Sequence, residues 1–299
     1  MKKRGSYTTQ WLAIVVLSLA AIAVGPSCYA QTRPAVTWRP AQLTNGSPAL
    51  FRVTAPAGVK SVEASWLGHQ VSFFYGRHER SWFGLGGVPL QTAPGAYELR
   101  VTERFGNGRS REITRKVRIA KASYPSATIK VAKQFTEPSH AQLAAIAADK
   151  GVKQKTFSAF SAERSWSGPF TAPVSAPISA VFGTGRVFNH EVQSRHEGLD
   201  YAVPGGTPVR AIGRGTVLLA RPMFFEGNFV VVDHGQGLLS LYLHLSEFKV
   251  KEGETVSEGQ VIGLSGGTGR ATGAHLHLAV RWQGVYLDPA VVLHLAVPK

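Results

Sequence analysis

Apolar and polar residues alternate with a period of two along most of this chain. Between about Ala41 and Ala120 they do so in short stretches, at residues 49–54, 61–66, 71–75, 97–102 and 111–119. Turn formers separate the stretches, most clearly Pro94 with Gly95, and Gly106, Asn107 and Gly108. Successive side chains of a strand point to opposite faces, so this pattern predicts half-buried strands and a small β-sandwich. The pattern changes over residues 121–167. Residues 137–151 read as one short helix, with Ser139 as its cap and Gly151 as its end. From Ile178 to about Leu295 the alternation returns and glycine becomes dense. Strands are expected at 207–212, 215–220, 228–233, 238–245 and 274–282. The glycines spaced through 250–263 suit the tight corners of a compact, barrel-like antiparallel sheet. The fold class is therefore all-β: a sandwich, a short helical linker and a glycine-rich antiparallel β domain.

The first thirty residues fall outside this scheme. Lys2, Lys3 and Arg4 precede an apolar run over 11–24, and Ser27 and Ala30 are small residues where a signal peptidase reads. This is a secretory signal peptide over 1–30, cut after Ala30, and it implies export to the cell envelope. An uncleaved membrane anchor is the alternative, although the run is short for a span. A lipoprotein signal ending at Cys28 lacks its usual aliphatic residue, since Gly25, Pro26 and Ser27 stand before it. The segments are then 1–30 signal, 31–120 β-sandwich, 121–167 linker and 168–299 second β domain. After cleavage no stable transmembrane span is expected.

Composition adds two constraints. Cys28 is the single cysteine, so a chain cut after Ala30 carries no disulfide and depends on burial, for which 44% apolar residues suffice. The formal charge is +15; without the three basic residues of the leader, 30 Lys+Arg face 18 Asp+Glu, leaving +12. An anionic partner fits that balance, as does plain solubility. No run of five basic residues occurs and no nucleic-acid-binding motif is present, so no nucleic-acid partner is expected.

The chemistry-bearing residues cluster late. His196 and Asp200 form His-x-x-x-Asp, His275 and His277 form His-x-His, and His244 lies between. Imidazole and carboxylate together suit Zn²⁺, and three protein ligands with one open position make the catalytic pattern. Two residues apart on a strand share a face, which pairs His275 with His277 and Tyr242 with His244. The spacing of His196 and Asp200 fits one face of a helix or a loop bending round a metal. Glu197 follows His196 as the general base does in His-Glu-x-x-His proteases, but Asp stands in the fifth place and Gly198 interrupts. If Glu197 is not the base, a histidine must be. His69, His78, His140, His190, His234 and His294 read as surface or hydrogen-bonded residues, with His234 the nearest of them to the site.

These residues belong to a longer series: Phe182-Gly183, His196-x-Gly198-x-Asp200, Gly205-x-Thr207-Pro208-Val209-x-Ala211, Gly227-Asn228 and Asp233-His234-Gly235. Tyr242-x-His244-Leu245, Gly259-Gln260-x-Ile262-Gly263 and Thr268-Gly269-Arg270-x-Thr272-Gly273-x-His275-Leu276-His277 complete it. The series resembles the LytM/lysostaphin-type zinc metallopeptidases over residues 168–293. Residues 31–120, most clearly 94–101, look like the immunoglobulin-like domain that often precedes this catalytic domain in Gram-negative members. The resemblance implies a site in a groove and zinc-dependent hydrolysis of peptide bonds in peptidoglycan stems or cross-links, in the periplasm or cell envelope. It implies that His196, Asp200 and His277 hold one Zn²⁺ and that His244 and His275 are the catalytic histidines. Spacing alone does not say which histidine of His-x-His binds the metal, nor which of His244 and His275 is the base. Asn189 falls where a groove-lining Asn is expected, or is a turn residue. Tyr242 lines the groove or packs in the core. The partner is peptidoglycan, with a regulatory protein as a second. A non-catalytic peptidoglycan-binding protein, or an activator of a cell-wall hydrolase, is the alternative function. The linker is a candidate latency element. The bond is a D-Ala–diaminopimelate cross-link in a Gram-negative source, or else a glycine bridge.

Overall fold

The computed structural model describes residues 1, 35–190 and 192–298. The leader expected at 1–30 lies outside the described residues, Met1 apart. Among the described residues, no helix is long and apolar enough to cross a membrane.

The N-terminal part contains strands β1 (Ala35–Arg39), β2 (Leu43–Thr44), β3 (Pro48–Thr54) and β4 (Val59–Trp66). It continues with β5 (His69–Gly76), β6 (Ser81–Gly87), β7 (Gly95–Phe105) and β8 (Ser110–Ala120). In β7, Leu99 and Val101 point inward while Glu98 and Arg100 meet solvent, as the alternation requires. The hydrogen-bonded order is β1-β3-β6-β5-β4-β7-β8-β2. In place of two separate layers, this is one continuous, nearly closed, barrel-like sheet. The reason lies in β5, which pairs with β4 through residues 69–72 and with β6 through residues 73–76. One strand thus serves both halves.

The linker is more structured than expected. Strand β9 (Ser126–Ile129) leads to α1 (His140–Phe157). Ser139 caps α1 as expected, accepting from the Gln142 N–H while the Gln142 side chain accepts from the Ser139 N–H. Gly151 does not end it. A glycine in a helix interior costs only about 1 kcal/mol relative to alanine. The turn beyond it is held by tertiary contacts: Val152 and Phe157 pack on a sheet, and Lys153 pairs with Glu226.

The C-terminal part contains β10 (Ile178–Ala180), β11 (Gly185–Phe188), β12 (Val192–Arg195), β13 (Leu199–Tyr201), β14 (Pro208–Arg210) and β15 (Gly215–Met223). Then come β16 (Gly227–Asp233), β17 (Leu238–Leu245), β18 (Glu247–Phe248), β19 (Thr255–Val256) and β20 (Val261–Leu264). The chain closes with β21 (Leu276–Trp282), β22 (Val285–Leu287) and α2 (Pro289–Leu293). The main sheet runs β10-β13-β21-β17-β16-β15-β19, with β22 paired to β21. Two three-stranded sheets, β12-β11-β9 and β14-β20-β18, flank it.

The two faces of the main sheet have different company. On β21, Leu276, Leu278, Val280 and Trp282 enter a large apolar core shared with the N-terminal barrel. On the opposite face, Ala279 joins Phe229, Val231 and Leu241 in a smaller cluster, against which Val152 and Phe157 of α1 pack. The barrel docks on the β21–β22 hairpin. Gly87 makes the close approach possible, since a Cβ there would sit 2.6 Å from Leu287 Cδ2. The Gln283 side-chain amide donates to Gln70 O at 2.7 Å, and the Asp288 N–H to Gly46 O at 2.9 Å. The described residues from 35 to 298 form one compact unit.

Candidate metal centre

Antiparallel pairing of β13 with β21 sets Asp200 directly opposite His277. His196 stands three residues ahead of β13, in an irregular stretch that becomes strand at Leu199. A loop running into a strand therefore spans the four-residue spacing of His196 and Asp200, and a helix does not. Glycine is required in that loop: a Cβ on Gly198 would overlap the His277 ring and stand 2.6 Å from Leu278 O.

The three side chains converge. His196 Nε2 is 2.9 Å from Asp200 Oδ1 and 3.0 Å from His277 Nδ1, and 2.7 Å separates His277 Nδ1 from Asp200 Oδ1. All three are buried, at 1%, 6% and 8% exposure for His196, Asp200 and His277. His196 Nδ1 lies 2.8 Å from Val181 O, so that nitrogen carries the proton and donates it. The lone pair on Nε2 then faces a carboxylate and a second imidazole nitrogen. Burial pushes the His277 imidazole down, against the pull of Asp200, which favours its neutral form. With both rings neutral, at most one proton can lie among the three atoms, so acceptors face acceptors. A divalent cation between them removes that conflict. Two imidazoles and a carboxylate are a donor set for zinc, and they leave a position open.

Asp200 is held from behind. Its Oδ2 accepts from Arg186 Nη2 at 2.5 Å. Burial alone would raise the Asp200 carboxyl; positive charge on the His196 and His277 side, acting through their hydrogen bonds, pulls it well below the usual carboxylate range, and with neutral rings a bound cation would supply that charge. The carboxylate and the His196 tautomer are thereby oriented by partners outside the ligand set.

Beside the triad, His244 Nδ1 lies 2.8 Å from Thr268 O and His275 Nδ1 lies 2.9 Å from Gly273 O. Each ring is thus turned with Nε2 as its acceptor. The two ring centroids are 4.8 Å apart, and that of His244 is 6.1 Å from His277. Burial, with His277 and His275 nearby, pushes the His244 imidazole down to about 3, so it is neutral at neutral pH. A cavity of about 220 Å³ opens here, with His196, Glu197, His244 and His277 on its wall. Glu197 is pushed up by burial, which Arg281 opposes.

The structure separates the alternatives left open at Tyr242, Asn189 and His234. Tyr242 and His244 do not share a face. The backbone of His244 is left-handed, with φ of +63°, and this interrupts the alternation of β17. Tyr242 is fully buried; its hydroxyl accepts from the Ile212 N–H at 2.8 Å and lies 3.0 Å from Ser240 Oγ. It is a core residue and does not line the groove. Asn189 sits in a turn at φ +50° and spends its side chain on the linker, accepting from the Val131 N–H and donating to Val131 O and Thr136 Oγ1. His234 is fully buried between Arg214 O and Ser240 Oγ and does not line the cavity. Sequence reasoning gave no role to Arg186 or Arg270, both of which line the cavity. Arg270 stands inside the quoted Thr268-Gly269-Arg270 series, the one signal that marked it.

Residues 194–289 match the family model described as Peptidase family M23. A crystal structure of a "putative peptidase M23" from Pseudomonas aeruginosa is similar over 84% of this chain and 95% of that one, with 30% identity and a TM-score of 0.66. The peptidoglycan DD-endopeptidase ShyA of Vibrio cholerae is 46% identical over 128 residues, which are 41% of this chain and 29% of ShyA. The DD-carboxypeptidase/endopeptidase Mpg of Neisseria meningitidis is 45% identical over 97 residues, 32% of this chain and 22% of Mpg. The chain thus spans less than a third of the length of these two relatives.

Proposed function

The chain belongs to peptidase family M23, and from that premise we propose that it is a zinc-dependent endopeptidase acting on peptidoglycan in the cell envelope. The observation that carries the proposal is the convergence of His196 Nε2, Asp200 Oδ1 and His277 Nδ1 to within 3.0 Å of one another, with too few protons to satisfy them. The likeness of residues 194–289 to enzymes named as peptidoglycan DD-endopeptidases supports the substrate class.

His196, Asp200 and His277 would hold the zinc, which when bound supplies a Lewis acid and lowers the pKa of a coordinated water to about 7. Val181 O and Arg186 fix the ring and the carboxylate so that the ligand atoms stay aimed. His244 lines the cavity and His275 the neighbouring one, and each turns Nδ1 to a backbone carbonyl and keeps Nε2 free; one takes a proton during attack on the peptide carbonyl, and the other steadies the oxyanion once protonated. The depressed basicity of His244 suits it less to holding a proton than to returning it promptly to the leaving amine. Glu197 also lines the cavity, and it is the competing base. Phe229 and Leu241 give the cavity an apolar floor on which a peptide can lie with water excluded.

The test is direct. Purified protein is incubated with peptidoglycan sacculi, with zinc and with a chelator, and soluble fragments are analysed by mass spectrometry. Zinc-dependent release of peptide fragments from cross-linked material is expected. Undiminished release under chelation overturns the zinc dependence, and no release with zinc leaves the non-catalytic binding alternative standing.

A further inference from the structure

Two cavities flank the triad, one bounded by His196, Glu197 and His277, the other by Asp200, His275 and Ala274. Two cations line both: Arg186 and Arg270. Arg186 is engaged with Asp200. Arg270 is not engaged in this way. Its guanidinium lies 4.4 Å from the ring centroid of Phe188 and 4.7 Å from that of Phe225. Among the described residues no carboxylate or carbonyl accepts a hydrogen bond from it. The closest acidic influence on it is Glu226, whose carboxylate is taken by Lys153 of α1.

The loop that carries Arg270 is fixed at every step. Thr268 Oγ1 donates to Leu245 O at 2.8 Å and accepts from the Asn228 N–H at 2.8 Å. Thr268 O receives His244 Nδ1, and the Arg270 N–H donates to Phe225 O at 2.9 Å. Gly269, at φ +71°, lies so close to Gly227 that a Cβ would stand 2.6 Å from Phe225 O. The turn that orients one catalytic histidine therefore also presents a rigid, partly desolvated, unpaired cation beside the metal centre. An arginine held between two rings loses little rotamer freedom when it binds, and its planar fork matches a carboxylate. Removing such a charge from water without a partner is unfavourable, so an incoming anion is the natural complement.

We propose that Arg270 is a specificity-determining residue: it binds a free carboxylate on the substrate peptide next to the bond being cut. This rests on the peptidoglycan endopeptidase reading and narrows it. A D-Ala–diaminopimelate cross-link carries a free carboxylate on the carbon bonded to the scissile amide nitrogen. A glycine bridge carries none. The site selects the first.

The test uses the zinc-loaded chain and two peptide dimers that differ only at that carboxylate, free in one and converted to a carboxamide in the other. Both kcat/KM and Kd are measured for each. The wild type is expected to favour the free carboxylate by roughly 10- to 100-fold, the range for charge-assisted hydrogen bonds. In Arg270→Gln the ratio falls to within about threefold of unity, and Arg270→Lys keeps part of it, because a point charge replaces a fork. A wild-type ratio near one overturns the proposal, as does a ratio that survives in Arg270→Gln. Zinc content and melting temperature report folding of the variants; if Arg270→Gln does not fold, the wild-type and Arg270→Lys ratios decide. If the wild type cuts neither dimer, the endopeptidase reading falls, and the ratio of the two Kd values still decides the role of Arg270.

Discussion

Two buried polar clusters occupy opposite faces of the main sheet, and each contains an imidazole bonded to a backbone carbonyl. On the core face, His234 Nδ1 meets Arg214 O, its Nε2 meets Ser240 Oγ, Ser240 meets Tyr242, and the Tyr242 hydroxyl accepts from the Ile212 N–H. One arrangement of protons satisfies every atom in that chain. On the other face, His196 Nδ1 meets Val181 O, but its Nε2 meets a carboxylate and another imidazole nitrogen. No arrangement with neutral rings satisfies all three. Burial and histidine content do not separate these clusters; proton arithmetic does. A saturated network is structure, whereas a convergent deficit of protons is a cation site.

The strongest way to break this contrast is to exchange its consequences. Asp200→Ala or His277→Ala should abolish stoichiometric zinc, read by elemental analysis, and lower peptidoglycan release by about 10³-fold or more. Full zinc occupancy in either variant would end the distinction. Next in size is His244→Ala. It should retain zinc and lose about 10²–10⁴-fold in kcat, the range for a positioned acid or base; an unchanged kcat would pass the role to His275 or Glu197.

The core-face counterpart is Tyr242→Phe. It leaves the Ile212 N–H and Ser240 short of a partner and should cost about 1–3 kcal/mol in denaturant unfolding. Zinc content should stay at one per chain, and a loss of zinc would return Tyr242 to the site. Acid stability of the chelated protein sharpens the contrast further. His244 is held near 3 when folded and near 6.5 when unfolded, so the unfolded chain binds more protons between these values. Stability therefore falls as pH drops from about 6.5 toward 3, and His244→Gln should flatten that slope in melting temperature against pH. Asp200 acts in a lower window: its stabilising pairing is present above the ordinary carboxylate pKa and is lost as pH falls below it. A change touching neither cluster sets the baseline. Gly151→Ala in α1, where a Cβ meets nothing within 4 Å, should add about 0.5–1 kcal/mol with zinc and activity unaltered. Destabilisation there would mean that the helix is not a regular one.

The histidine and aspartate spacings carried the metal cluster from the sequence, because antiparallel pairing turns two local motifs into one constellation. Period-two alternation carried most of the strands. It failed at Tyr242 because a single left-handed residue, His244, reverses which face the strand presents, and nothing local announces a positive φ at a histidine. It could not find the parallel pairing of β9 with β11, which depends on residues nearly sixty positions apart. Gly151 reads as a stop because the sheet on which the following turn packs is invisible in sequence. Arg186 carries no spacing signal and Arg270 only its place in the Thr268-Gly269-Arg270 series; the meaning of each comes from the carboxylate and the rings around it.

Strand β21 carries His277 at one end and Trp282, wedged against the N-terminal barrel and His69, at the other. Seven residues of strand cover only about 20 Å, and no hinge interrupts them. The barrel is therefore held at a fixed distance from the metal-binding cluster, as a gauge and not as a tether.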